Sequence, residues 1–142
     1  MTTSWVFWAL LSALFAGTTA VLAKIGVKDI DSNLATAIRT TVILVFAWAI
    51  AAVTAKPGAI GTLTTRTLGF LCVSGLATGL SWLCYFRALQ LGPASRVAPI
   101  DKLSVVFVLA FAALFLNEPL SARSGLGTAL IAAGAIVLAW KS

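Results

Sequence analysis

Residues 97–116 have the sequence VAPIDKLSVVFVLAFAALFL, an apolar run with one acidic and one basic residue near its start. An α-helix rises 1.5 Å per residue, so about 20 residues cross the ~30 Å hydrocarbon core of a bilayer. The stretch therefore predicts a membrane-spanning helix. Because a charge within a span is costly, Asp101 and Lys102 become candidate functional residues.

The rest of the chain is similarly apolar. Of its 142 residues, 61% are hydrophobic and 10% are charged, and the mean hydropathy is +1.05. Ordinary soluble domains carry about a quarter charged residues, so this composition predicts an integral membrane protein. The net charge is +6, but the basic residues are scattered and form no run. We therefore expect no nucleic-acid partner.

The inventory of reactive side chains is small. The chain has no histidine and four carboxylates, two of which, Asp29 and Asp31, share a loop. Cys72 and Cys84 lie in one apolar run and would point about 120° apart on a helix, so we expect no disulfide. These features predict no enzymatic activity, no cofactor and no metal site.

Five apolar runs predict an all-α integral membrane domain over residues 1–142. The expected spans are about 5–23, 34–55, 67–91, 94–116 and 124–140, because helices satisfy their own backbone polar groups in lipid. Residues 31–33 can cap the second helix, and residues 56–58 stop it. The first charge is Lys24, so the first run lacks a signal peptide's basic start and predicts a retained span. If the fourth helix begins at Ala94, Pro99 predicts a kink just before Asp101.

The basic residues predict the orientation. Five spans place the termini on opposite sides, and the N-terminal side carries Lys56, Arg66 and Arg123. The seven basic residues on the other side are Lys24, Lys28, Arg39, Arg87, Arg96, Lys102 and Lys141. This bias predicts an external N-terminus and a cytoplasmic C-terminus. Three of the seven lie within spans, and without them the ratio is 4 to 3, so insertion in both orientations stays open.

The third span carries a polar face. Ser74, Thr78, Ser81 and Tyr85 are spaced by four, three and four residues, so they share one side of a helix. Trp82 lies beside them. In lipid such a face turns toward another helix or a water-filled cavity. We predict that these five residues contact substrate; the alternative is that the hydroxyls bond only to their own helix.

Charged residues within the spans predict a gate or coupling site. Arg39 lies about seven residues past its helix cap and Asp101 about seven past Ala94, so both are roughly 10 Å from the same membrane face. Arg87 lies near that face, and Lys102 follows Asp101. We expect Asp101 to pair with Arg39 or Arg87. The alternative for the basic side chains is that they extend back to the lipid headgroups.

Small residues spaced by four predict close helix contacts on three spans. Gly75 and Gly79 form such a ridge on the third span. The ridges on the first and fifth spans are Ala9, Ala13 and Gly17, and Gly125, Ala129 and Ala133. Together they favour a packed bundle that also self-associates.

Three stretches carry a family resemblance: 24-KIGVKDIDSNLATAIRT-40, 85-YFRALQLGPASRVAPIDKLS-104 and 116-LNEPLSARSGLGTALIAAGAIVLA-139. Over nearly its whole length the chain resembles the EamA domain of the drug/metabolite transporter superfamily. The resemblance implies one half of a ten-helix fold of two inverted halves. It also suggests that two antiparallel copies supply both walls, as in the small multidrug resistance relatives. Those relatives use a glutamate in the first span, which this chain lacks.

The sequence thus predicts a secondary transporter of a small metabolite in the inner or plasma membrane, working by alternating access as an antiparallel homodimer. The basic excess favours an anionic or zwitterionic substrate. One alternative is a flippase subunit for a polyprenyl-phosphate-linked sugar, since basic residues near headgroup depth suit a lipid phosphate. Another is a non-transporting membrane subunit that binds other proteins through its glycine ridges.

Overall fold

The computed structural model of the protein describes residues 3–56 and 58–140, and side chains from residue 5 onward. All regular structure in these ranges is helical. The elements are α1 (Thr3–Gly26), α2 (Ser32–Thr54), a 3-10 helix (Ala59–Thr62), α3 (Thr65–Leu91), α4 (Ala94–Asp101), α5 (Ser104–Phe115) and α6 (Ala122–Ala139). Pro57, part of the predicted stop of the second helix, and Lys141, counted in the charge bias, lie outside the described residues.

Five helical stretches in the described ranges are long and apolar enough to cross a membrane. They are α1, α2, α3, α4 with α5, and α6, and they coincide with the five predicted spans to within three residues at each end. This confirms the all-α integral membrane fold with five spans.

The fourth span is two helices. The helix continues through Pro99 to Asp101 and breaks at the next two residues. There the amides of Lys102 and Leu103 donate to carbonyls three residues back, on Pro99 and Ile100, at 3.0 Å each. The predicted kink before Asp101 therefore lies just after it. Pro99 lacks an amide hydrogen for the preceding turn, and the turn that follows tightens into 3-10 geometry.

Short polar side chains fix the starts of two helices. The carboxylate of Asp31 accepts from the amides of Asn33 and Leu34 at 2.9 and 3.0 Å, which confirms the predicted cap of α2. At α6, the hydroxyl of Ser121 accepts from the amide of Ser124 at 3.0 Å, and the Ser124 hydroxyl accepts from the amide of Ser121 at 3.1 Å. This reciprocal pair satisfies two amides that no helical carbonyl can reach.

The chain divides into two compact units. The terminal unit comprises residues 1–25 and 91–142, and the central unit comprises residues 26–90. In the terminal unit α4 and α5 pack against α6, where Ala135 is buried. In the central unit Val27, Phe86 and Leu89 are buried. Most other large apolar side chains are exposed, as suits a chain whose surroundings are lipid or further helices. A single domain over 1–142 stays a prediction.

Candidate functional site

The central unit brings Arg39 of α2 against two aromatic rings of α3. The guanidinium carbon of Arg39 lies 4.6 Å from the ring centroid of Trp82 and 5.4 Å from that of Phe86. Both distances are within the ~6 Å range in which a cation is attracted to an aromatic face. Because Phe86 is only 3% exposed, its ring provides a fixed platform. The rings therefore define where the Arg39 charge lies.

The positions of these rings along α3 favour an Arg39 side chain that stays level with its own backbone. Arg39 is seven residues from Ser32, the first residue of α2, which corresponds to roughly 10 Å. On α3, Phe86 and Trp82 lie five and nine residues before the last residue, Leu91, or roughly 7 and 13 Å. The guanidinium is thus held near the depth of its own backbone. This geometry favours a residue held inside the membrane over one that reaches the headgroups.

Carboxylates are scarce near this cation. The central unit contains two, Asp29 and Asp31, and Asp31 is occupied in capping α2. Within residues 26–56 and 58–90, Arg39 forms no ion pair. The aromatic faces are therefore the interactions that stabilise its charge within the central unit.

The predicted polar face of α3 is mostly uncovered in the single chain. Ser74, Thr78 and Ser81 are exposed, whereas Trp82 and Tyr85 are partly buried. The Oγ1 of Thr78 donates to the carbonyl of Ser74 at 2.9 Å, which is the self-bonding expected under the alternative. Trp82 contacts Arg39 through its ring. The structure thus places one of the five predicted substrate contacts beside one predicted gate residue.

Arg87 takes part in an attachment between α3 and the loop before α2. Its Nη1 donates to Oε1 of Gln90 at 2.9 Å. The Nε2 of Gln90 donates in turn to the carbonyls of Val27 and Ile30, at 3.3 and 2.6 Å. Sequence reasoning missed Gln90. An amide side chain in the last turn of a span was the available signal, since loop carbonyls there need donors. The gate role of Arg87 stays a prediction.

A second attachment lies in the terminal unit. The Nζ of Lys24, in the last turn of α1, donates to the carbonyl of Gly92 at 2.8 Å. Gly92 belongs to the turn between α3 and α4, so this bond fixes the end of one span to the turn between two others. The sequence predicts Lys24 at the end of the first span, among the basic residues on this side of the membrane, but not its partner.

In the terminal unit Asp101 and Lys102 form an ion pair at the break between α4 and α5. The Nζ of Lys102 lies 3.5 Å from Oδ2 of Asp101, and the two side chains are 60% and 40% exposed. The pair is locally neutral. Its role in a gate or in coupling, and the pairing of Asp101 with Arg39 or Arg87, stay predictions.

Lys102 also borders a groove of about 440 Å³ along α4 and α6. The residues that line the groove are Ala98, Pro99, Lys102, Leu130, Ile131, Gly134, Ala135 and Leu138. Apart from Lys102 they are apolar. The groove is therefore an apolar surface with one charged side chain among its lining residues. Over residues 3–56 and 58–140, no cluster of cysteine or acidic side chains could hold a metal ion.

Known proteins resemble the chain along most of its length. The model of the EamA-like transporter family matches residues 3–140. A Sinorhizobium protein described as an uncharacterized transporter in the cobO 3′ region is 58% identical over 139 residues, which cover 98% of this chain and 99% of that protein. The probable 4-amino-4-deoxy-L-arabinose-phosphoundecaprenol flippase subunit ArnE of Enterobacter sp. (strain 638) is 33% identical over 73 residues, 51% of this chain and 68% of that one. No solved structure matches the chain.

The family match covers all five spans, including α2 and α3 with their Arg39 contact. It confirms the resemblance found in the loop and turn stretches of the sequence. It also favours a transporter over an enzyme and supports a location in the cell membrane. The chain belongs to the EamA-like transporter family of the drug/metabolite transporter superfamily and is a multi-pass membrane transporter.

Proposed function

We propose that the chain is one half of a secondary transporter of a small metabolite, which works by alternating access as an antiparallel homodimer. The observation that carries this proposal is the uncovered polar face of α3, where Ser74, Thr78 and Ser81 are exposed within a span. In lipid such hydroxyls turn toward another helix or a water-filled cavity. A second copy of the chain supplies the missing wall of that cavity.

The number of spans supports assembly from two five-span units. Transporters built from inverted repeats bind substrate near the bilayer midplane, at the interface of the two repeats. Five spans correspond to one such repeat. The Sinorhizobium relative, which is described as a transporter, is matched over 99% of its length. Two copies inserted in opposite orientations would reproduce the inverted pair.

The charges of the central unit favour an anionic or zwitterionic substrate. Arg39 lies against Trp82, at the edge of the polar face. A substrate that contacts the face also meets this positive charge. Arg39, Arg87, Asp101 and Lys102 would form the charged gate.

Flux measurements on purified protein in proteoliposomes test the transporter proposal. We expect saturable uptake of at least one member of a panel of anionic and zwitterionic metabolites. The combined substitutions Ser74→Ala, Thr78→Val and Ser81→Ala should lower it at least about tenfold, as each removes a potential substrate hydrogen bond. Thr54→Val is the matched control, because Thr54 likewise bonds to its own helix and lies in the last turn of α2.

The proposal fails if transport is indifferent to the polar face, Arg39 and Asp101 together. The antiparallel arrangement has its own test, the location of tags placed at each terminus in cells. We expect each terminus on both sides of the membrane, since the loop charges divide 4 to 3. Termini confined to one side each would exclude the antiparallel homodimer.

A flippase subunit for a polyprenyl-phosphate-linked sugar is a second candidate. The resemblance to the Enterobacter flippase subunit favours it, as does the apolar groove along α4 and α6 with Lys102 at its border. Such a groove could hold an isoprenoid chain. The test is chemical labelling of the sugar from the outer face of proteoliposomes. Flipping raises the accessible fraction above the share in the outer leaflet, and a soluble-metabolite transporter leaves it unchanged.

A further inference from the structure

We propose that Arg39 is an oxyanion-binding residue, which receives a phosphate or carboxylate group on the edge of its guanidinium while Trp82 and Phe86 hold the face. The inference deepens the proposed function and rests on it for the identity of the site. It assigns the substrate, or its headgroup, to a chemical class. It also gives the two aromatic residues a positioning role.

The aromatic contacts leave the hydrogen-bond donors of Arg39 available. The N–H groups of a guanidinium lie in its plane and form a rigid fork that matches the two oxygens of a carboxylate or phosphate. Contacts with Trp82 and Phe86, at 4.6 and 5.4 Å from the ring centroids, engage the π faces of the rings rather than acceptor atoms. Within residues 26–56 and 58–90, Arg39 donates no hydrogen bond. Its donors are therefore uncommitted within the central unit.

Neighbouring hydroxyls on α2 do not compete for the same group. The Oγ1 of Thr36 donates to the carbonyl of Ser32 at 2.8 Å, and the Oγ1 of Thr40 donates to the carbonyl of Thr36 at 2.7 Å. A hydroxyl has a single hydrogen to donate, so both threonines present only lone pairs elsewhere. Lone pairs repel an oxyanion. On this stretch of α2, Arg39 is thus the side chain that can attract one.

The charge balance of the central unit also calls for an anion. A cation within a span is normally paired with a carboxylate or with backbone carbonyls. In this unit the attraction of aromatic faces replaces such a partner, and that attraction is weaker than a charge-assisted hydrogen bond in a bidentate pair. A bound phosphate or carboxylate would supply the missing charge and the missing acceptors together.

The test measures thermal unfolding of the full chain in lipid nanodiscs. In one arm the lipids are neutral, and sodium phosphate or sodium acetate is compared with sodium chloride at equal ionic strength. In the other arm phosphatidic acid replaces part of the neutral lipid. A ligand that binds only the folded state raises Tm by an amount that grows with the logarithm of its concentration above Kd. We expect a rise for the wild-type chain in at least one arm.

Substitutions at Arg39 then separate specific binding from bulk charge. Arg39→Lys keeps the charge but loses the fork, and should weaken the apparent affinity at least about tenfold, as should Arg39→Gln. Arg66→Gln is the matched control, because Arg66 has the same charge and lies 5.9 Å from the ring centroid of Phe70 on the same helix. This control should keep the anion response. If Arg39→Gln fails to fold, Arg39→Lys alone decides.

Each outcome has a defined meaning. A rise with soluble salts identifies an aqueous oxyanion, and a rise confined to phosphatidic acid identifies a lipid headgroup; both support the inference. No rise in either arm overturns it, as does an equal loss in the Arg39 and Arg66 variants. Trp82→Leu should weaken the response while Trp82→Phe restores it. A simple packing role would instead change the basal Tm without changing the anion dependence.

The result also stands apart from the transporter proposal. If flux occurs but neither Tm nor flux depends on the guanidinium fork of Arg39, the inference fails and the transporter proposal survives. If the Arg39-dependent rise in Tm appears but no substrate crosses the membrane, the oxyanion site survives and the transporter proposal fails.

Discussion

In the central unit Arg39 lies against two aromatic rings, whereas in the terminal unit Lys102 lies 3.5 Å from a carboxylate on the preceding residue. Both are basic residues in helices that cross the membrane. The lysine has its counter-charge beside it, so the pair is neutral to its surroundings. The arginine is held in place without being neutralised within its unit, so it can still attract an anion.

The two units also differ in the size of the residues at their helix contacts. In the terminal unit α4 and α5 pack against α6, whose surface carries the small residues Gly134 and Ala135 beside α4. Small residues at such contacts let backbones approach closely. In the central unit, α2 and α3 meet through the long side chains of Arg39, Trp82 and Phe86. The central unit thus joins these two helices through large side chains, where the terminal unit uses small ones.

The largest expected effect comes from exchanging the two cations for neutral residues. Arg39→Gln should weaken substrate or oxyanion binding about 100-fold, because it removes charge-assisted hydrogen bonds worth about 3 kcal/mol. Lys102→Gln should change binding only a few-fold, since Asp101 already neutralises that lysine. Binding titrations on both variants measure the contrast. Equal losses of affinity would show that the two cations contribute alike to binding and would contradict the difference between the two units.

The next effect is on stability, through the side-chain hydrogen bonds that fix a loop or turn in each unit. Gln90→Leu removes two donated hydrogen bonds, to Val27 and Ile30, and should lower the free energy of unfolding by about 2 kcal/mol. Hydrogen exchange should rise at residues 27–31. Lys24→Met is the counterpart in the terminal unit and should raise exchange near Gly92 instead.

Gln90→Glu serves as the control for that experiment. It keeps an acceptor for Arg87 but loses the donors, so it should loosen the loop nearly as much as the leucine variant. If the loop stays protected in Gln90→Glu, the bond from Arg87 is what holds it, and the amide donors of Gln90 do not hold the loop.

These loop bonds show which part of the structure the sequence can predict. The five spans follow from hydropathy and length alone, and the cap by Asp31 follows from local chain geometry, because the carboxylate and the amides it accepts from are two and three residues apart. Gln90 reaches residues 60 and 63 positions away. Such a contact depends on how helices pair in space, which no local pattern contains.

The candidate site was predictable to a similar degree. Spacing of four and three residues placed Ser74, Thr78 and Ser81 on one face of α3, and the structure leaves them exposed together. The number of residues between the helix cap and Arg39 placed this side chain within the membrane. It could not show that Trp82 and Phe86 would hold the guanidinium, because the rotation of α2 relative to α3 is a tertiary property. The break was predicted two residues too early. Pro99 disturbs the turn before it, whereas the observed break follows Asp101, where the amides of Lys102 and Leu103 bond to carbonyls three residues back.

A smaller effect, on self-association, tests which helix lies at the interface between two copies of the chain. In the described structure a Cβ built at Gly75, Gly79 or Gly125 meets no atom within 4 Å, so leucine fits the single chain at each position. If the central unit faces its partner, Gly75→Leu with Gly79→Leu should weaken self-association about tenfold. Gly125→Leu on α6 should leave it unchanged. Energy transfer between labelled copies in liposomes measures both. A loss confined to Gly125→Leu would assign the interface to the terminal unit.

The smallest expected effect is on stability at the helix break. Asp101→Asn should change the free energy of unfolding by less than about 1 kcal/mol, because the pair with Lys102 is 40% and 60% exposed and such pairs contribute little. Reversible unfolding in mild detergent measures it, with Asp31→Asn as a control that keeps the cap of α2. If Asp101→Asn also removes the response of transport to a proton gradient, the carboxylate serves coupling rather than folding. A loss of stability well above that limit would mean that Asp101 has a second, buried partner in the assembled transporter. The stability of the terminal unit would then depend on charge as strongly as ligand binding by the central unit is expected to.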